Sequence, residues 1–143
     1  MAISQGMATS FKVQLLNGQH NFSANTFKLA LYTSSASLDE NTTAYTTSNE
    51  VPSTGNYSAG GNTLTVSVTP TNSGNVAYIS FANTSWANAT ITANGALIYN
   101  ANLANAAVCV LAFGGDKTWT NDTFAVNFPT ADASNAIIRL TAS

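Results

Sequence analysis

Hydrophobic and polar positions change rhythm once along this chain. From Gly6 to Gly18 the apolar residues Met7, Phe11, Leu15 and Leu16 recur at helical spacing. Gly18 stands where a helix would stop, and Thr9 or Ser10 where one would start. The spacing predicts a short amphipathic helix over Thr9 to Asn17, whose apolar stripe must be buried on its own sheet or on a neighbour's. Beyond it the period becomes two. TFKLALYT (26–33) sets Phe27, Leu29 and Leu31 on one face against Lys28, Ala30 and Tyr32 on the other, the mark of a strand with a buried face. LTVSV (64–68) and VAYISF (76–81) alternate on either side of a Pro70–Gly74 turn and predict a hairpin. GALIYN (95–100), the run Ala106 to Phe113 that is apolar on both faces, FAVNF (124–128) and AIIRL (136–140) add four more strands.

Polar stretches separate these runs. Asn83 to Asn94 is polar with Trp86 and Ile91 embedded, and GGDKT (114–118) reads as a turn. Ser34 to Gly61 carries little apolar periodicity and predicts a long excursion with one short strand around Ala44 to Val51. Loops of this length in a small domain are uncommon and often functional. Seven or eight short strands at regular spacing predict an all-β fold, an antiparallel β-sandwich or jelly roll with a short N-terminal helix and a long loop between early strands. The length of 143 residues fits a single domain, 1–143, with 1–18 as an N-terminal arm.

Charge changes the picture most. Only 7% of residues are Asp, Glu, Lys or Arg, against roughly 25% in an average globular protein. Asn, Thr and Ser supply the polarity instead. A surface of such residues docks with less desolvation cost than a charged one and repels its copies weakly, which favours assembly over dispersal. A net charge of −2 with four scattered bases, Lys12, Lys28, Lys117 and Arg139, forms no basic patch. Nucleic-acid binding and an electrostatic membrane anchor are therefore disfavoured.

Candidate chemistry is sparse. His20 is the single histidine and reads as a turn residue. With one His and one Cys, a zinc site has too few ligands of the usual kinds. Asp39-Glu40 are adjacent and point apart in an extended chain. Asp39, Glu40 and Glu50 lack the Asp/Asn alternation of a calcium loop. Asp116-Lys117 is an ordinary solvated pair. No Gly-Lys-Ser/Thr follows Gly60-Gly61 or Gly114-Gly115, and no serine stands in a Gly-X-Ser-X-Gly elbow. These absences predict a protein that is not an enzyme and holds no cofactor and no metal. Cys109, inside an apolar run, reads as a small buried hydrophobe. Met1 to Asn17 lack the basic start and apolar stretch of a secretory signal, and no run has the length of a membrane helix. Six Asn-X-Ser/Thr sequons, from Asn21 to Asn121, follow from the abundance of Asn and Thr.

The aromatic residues remain. Trp86 and Trp119 sit in polar stretches, and Tyr45 and Tyr57 lie in the long excursion. Such residues either plug the ends of a sandwich or form a contact platform for protein or sugar. With so little charge around them, protein contact leads among the functional readings. The candidate contact residues are Met7, Phe11, Leu15, Tyr45, Tyr57, Trp86 and Trp119.

Several strings together resemble a known group. TFKLALYTSSASL (26–38), Thr42-Thr43-Ala44-Tyr45, Glu50-Val51, Gly55-Asn56-Tyr57 and Ala59-Gly60-Gly61 resemble the opening of small virion structural proteins of tailed bacteriophages. Trp86, Ala96-Leu97-Ile98-Tyr99-Asn100 and Phe113-Gly114-Gly115-Asp116-Lys117 look like the second half of the same family. The resemblance runs from Gly6 to Pro129 and implies a component of the virion, made in the bacterial host cytoplasm. By analogy it implies first a capsid cement (decoration) protein, a homotrimer in contact with the major capsid protein. A tail-associated tube, terminator or fibre component comes second, and a carbohydrate-binding adhesin module third. A cement protein needs a rigid body and arms that reach neighbours. The helix-bearing N-terminus and Ser34 to Gly61 are the expected arms.

Overall fold

The computed structural model of the chain describes residues 2–141. Met1, which the expected N-terminal arm includes, and the last two residues lie outside them. In chain order the elements are β1 (Gly6–Met7), α1 (Thr9–Leu16), β2 (Phe27–Tyr32), β3 (Asn62–Thr63), β4 (Val66–Ser73), β5 (Val76–Phe81), β6 (Thr84–Asn100), β7 (Ala106–Val126) and β8 (Ile138–Leu140). Two antiparallel sheets form, one in the order β1-β7-β6-β2-β3 and one in the order β4-β5-β8. The fold is all-β and sandwich-like, as the alternation predicts.

The aromatic core lies between the sheets. Phe22 stacks on Phe27 at 4.5 Å between ring centroids, and Phe81 from β5 meets Phe27 at 5.9 Å. Phe11 of α1 reaches the same cluster through His20 at 4.8 Å and Phe22 at 6.1 Å. One contiguous set of buried residues includes these rings, β2, the near half of β6 and the start of β7.

β6 and β7 differ most from expectation. The polar segment Asn83–Asn94 lies almost wholly in a strand, and GGDKT is not a turn. Both belong to one long ribbon, paired from Thr84↔Val126 to Asn100↔Ala106. Three of its four register shifts hid it. Trp86↔Phe124 is followed by Ala89↔Asp122, so β6 carries an extra residue at Ala87–Asn88, where Asn88 has φ 51°. Ala89↔Asp122 is followed by Ile91↔Trp119, so β7 carries one at Thr120–Asn121, where Asn121 has φ 49°. Between Ala93↔Lys117 and Gly95↔Ala112, β7 absorbs further residues around Gly114 and Gly115, at φ 77° and 149°. Bulges of this kind shift the side-chain phase and bend a strand. They break the period of two while keeping Trp86, Ala89, Ile91 and Ala93 buried on one face.

Other boundaries move for simple reasons. The helix ends at Leu16, with Asn17 as its C-cap and Gly18 at φ 72°, close to the expected stop. Its start is not capped by Thr9 or Ser10. Ala8 is the N-cap, and the Thr9 amide instead donates to the Glu40 carbonyl at 2.8 Å. In the predicted hairpin the first strand begins late. The Leu64 amide still donates to Phe27 in the large sheet, and the chain crosses to the small sheet before Val66. Pro70 lies inside β4 rather than in a turn, which is tolerated because β4 is an edge strand.

The two expected arms do not extend away from the body. β1 pairs with β7 (Gly6↔Val110, Met7↔Cys109), and Ile3 bridges Leu38. Ser34 to Gly61 folds back over the large sheet. Its bridges are Tyr32↔Glu50 and Ala44↔Ala106, and the Val51 amide donates to Leu31 at 2.9 Å. Backbone hydrogen bonds such as Ser4 to Leu38, Thr9 to Glu40 and Tyr45 to Asn105 hold both segments to the body.

Gly61 closes the excursion at φ 75°, and a Cβ there would stand 1.7 Å from the Leu29 carbonyl oxygen. A neighbour that is backbone cannot step aside. Gly61→Ala is expected to destabilise by about 3 kcal/mol or more in denaturant unfolding. Gly6→Ala, with nothing within 4 Å of its Cβ, is expected to stay within about 0.5 kcal/mol.

Candidate interaction surface

The structure separates the seven candidate contact residues into three groups. Phe11, Tyr57 and Trp86 are buried, and a contact role for them is corrected: they fill the interior. Met7, Leu15 and Tyr45 are partly buried and pack against the same core. Trp119 is 40% exposed.

Tyr57 and Tyr45 converge on Glu50, a carboxylate that sequence reasoning weighed only as a metal ligand. Glu50 is 9% exposed. Its Oε1 accepts from the Tyr45 hydroxyl at 2.7 Å, and its Oε2 accepts from the Tyr57 hydroxyl and the Gly60 amide, each at 2.7 Å. Tyr57 in turn accepts from the Leu31 amide at 2.9 Å, and Tyr99 donates to the Gly60 carbonyl at 2.7 Å. A carboxylate out of water needs such donors. Burial, and then the hydrogen bond to Glu50, push the Tyr45 and Tyr57 hydroxyls well above their ordinary value, and burial with the Glu50 charge pushes Tyr99 up to about 12. These phenols therefore remain donors at neutral pH. The cluster binds the excursion to β2 and β6 and is structural.

His20 forms a second polar node. Its Nε2 meets Gln14 Oε1 at 2.9 Å and its Nδ1 meets Asn100 Nδ2 at 3.1 Å, while Asn100 also donates to Asn25 at 3.0 Å. Burial lowers the His20 pKa. Asp39 accepts from the Asn41 amide in a local turn, apart from Glu50. Among the described residues no group of three His, Cys, Asp or Glu side chains is placed to hold a metal ion. No helix among them is long and apolar enough to cross a membrane. Burial pushes the Cys109 thiol up to about 12, which leaves it a poor nucleophile.

Among the described residues, two open grooves of about 300 Å³ each stand out. The first lies along β7, where Phe113, Lys117, Trp119, Phe124 and Val126 line it. Trp119 meets Phe124 edge-on at 5.8 Å, and Phe124 continues through Trp86 to Tyr57. In an unbroken strand Trp119 and Phe124, five apart, would face opposite ways. The bulge at Thr120–Asn121 restores them to one face, so spacing alone could not pair them. The second groove lies between the end of α1 and the small sheet, lined by Leu15, His20, Phe22, Ile79, Ile138 and Leu140. Beside it stands Leu16, 89% exposed. Both grooves are apolar pockets with little charge, the character of a protein-contact surface.

No family model matches the chain, and neither curated proteins nor solved structures show significant similarity to it.

Two outcomes test the buried nodes. Glu50→Gln replaces one acceptor oxygen with a donor and removes the charge, and is expected to cost about 2 kcal/mol in denaturant unfolding. The lowered His20 pKa makes stability depend on pH. Above the ordinary value of 6.5 both folded and unfolded chains carry a neutral His. Below it the unfolded chain takes up its proton first, so stability falls with pH until the folded His20 also titrates. Thermal melts between pH 7 and about 5 should show that decline, and His20→Gln should flatten it.

Proposed function

We propose that this protein is a structural component of a tailed-phage particle, first a capsid cement protein and otherwise a tail-associated one. It assembles with copies of itself, as a trimer in the cement reading, and with the major capsid protein or other virion proteins. One observation carries the reading. Trp119, Leu16, Val13 and Leu140 are exposed at 40%, 89%, 55% and 50% on a chain with only 7% charged residues. Apolar side chains with little charge about them suit close protein contact, because docking strips few ions of water and copies repel weakly. The resemblance of the Thr26–Gly61 and Trp86–Lys117 strings to phage virion proteins supplies the particle. The reading assigns no catalytic residue and no cofactor.

The segments expected to reach neighbours are folded back on the body, so a cement role here rests on contacts of the body itself. Such a body resists deformation, and many weak contacts on a lattice multiply. The sugar-binding alternative loses one of its two indoles, since Trp86 is interior.

Purified protein should co-sediment with expanded empty heads of the phage that encodes it, and heads lacking it should open at lower temperature. Co-purification with tails instead selects the tail role. Binding to neither heads nor tails overturns the proposal.

A further inference from the structure

Sheet edges expose unpaired backbone and are normally blunted. Three of the four edges here are. β3 and β8 are two and three residues long, and β4 carries Pro70. The outer side of β7 is different. Residues 43–45, β1 and Gln5 cover it as far as Ala112. From Phe113 to Val126 no strand among the described residues pairs with it. The first groove opens along this same stretch.

Register places the side chains. Lys117, Trp119 and Asp122 lie opposite Ala93, Ile91 and Ala89, all buried, so the three share the inner face of the ribbon. The charges at Lys117 and Asp122 guard the edge against arbitrary strands. Against an antiparallel copy of the same strand they do the reverse. A two-fold axis normal to the sheet must pass through a residue that faces itself. The bulged pair Thr120–Asn121 counts as one ladder position. With Trp119 on the axis, Lys117 of each copy then falls opposite Asp122 of the other.

We propose that the β7 edge is a self-recognition site, where a second copy of this chain adds its own β7 antiparallel. The two Trp119 indoles meet at the axis over the Phe124 groove, flanked by two Lys117–Asp122 pairs. The contact is isologous, with the same residues on both sides. Opposite charges admit this register, and like charges oppose a slipped one. It also pairs the outward backbone groups of Phe113–Val126 that no strand among the described residues pairs.

The inference rests on the self-assembly part of the reading above, with a two-fold contact in place of the trimer of the cement form, and is tested apart from it by charge exchange. Sedimentation velocity from micromolar to millimolar protein should show a monomer–dimer equilibrium. Lys117→Glu and Asp122→Lys should each weaken it by about tenfold or more, and the double variant should recover to within about threefold of wild type. Trp119→Ala should weaken it as well. All three residue changes lie at exposed positions, and thermal melts confirm that each variant folds. A wild-type monomer throughout, single variants that leave the constant unchanged, a double variant that fails to recover, or a trimer indifferent to both charges overturns the edge contact. Head binding by such a protein would leave the virion reading standing. Charge-exchange rescue without binding to heads or tails would do the opposite.

Discussion

A carboxylate held out of water organises this fold. Glu50 would be costly to bury alone, and three neutral donors make it tolerable: two phenols and one amide. Each donor belongs to the excursion that precedes β3, and each is tied elsewhere. Tyr45 stacks on Tyr99 of β6 at 4.7 Å, Tyr57 accepts from the β2 backbone and packs on Trp86, and Gly60 is held by Tyr99. A long polar segment is thereby fastened to the middle of the large sheet. Without that anchorage the inner face of β6 would lose the Tyr57 ring that covers Trp86.

The bent ribbon of β6 and β7 is the second consequence. Its near half pairs with β2 inside the large sheet, and the chain just beyond its far end reaches β5, where Phe128 packs on Phe81 at 5.7 Å. Left-handed Asn88 and Asn121 allow the change of phase. Asn is among the few side chains that adopt this conformation at low cost. The abundance of Asn thus has a local structural use at two bulges, beside its effect on surface charge.

Covering is uneven, and the uncovered part is where interaction is expected. The excursion shields the β6 side of the ribbon, while the β7 side keeps an open edge, an exposed indole and a groove. The α1 groove beside Leu16 is a separate open surface. Among the described residues neither surface gathers three metal-ligating side chains, and both are lined mainly by apolar residues.

How far the chain could be read depended on period. Where alternation was unbroken, as in β2, β5 and the near half of β6, the strands fall where the residues placed them. The helix likewise ends beside Gly18, as its spacing foretold. The all-β class and the scarcity of charge followed from composition and rhythm alone, because each is a sum of local preferences. Where bulges reset the phase, the far ribbon looked like a polar stretch and a turn. Alanines at inward positions 89 and 93 made its alternation fainter still. Trp86, Tyr57 and Phe11 looked like contact residues because their neighbours in sequence are polar, yet burial depends on what folds over a side chain. Only the tertiary structure could decide that Glu50 gathers Tyr45, Tyr57 and Gly60, or that Lys117, Trp119 and Asp122 share one face at an open edge. Those relations join residues through register and bulges, which no single stretch of sequence contains.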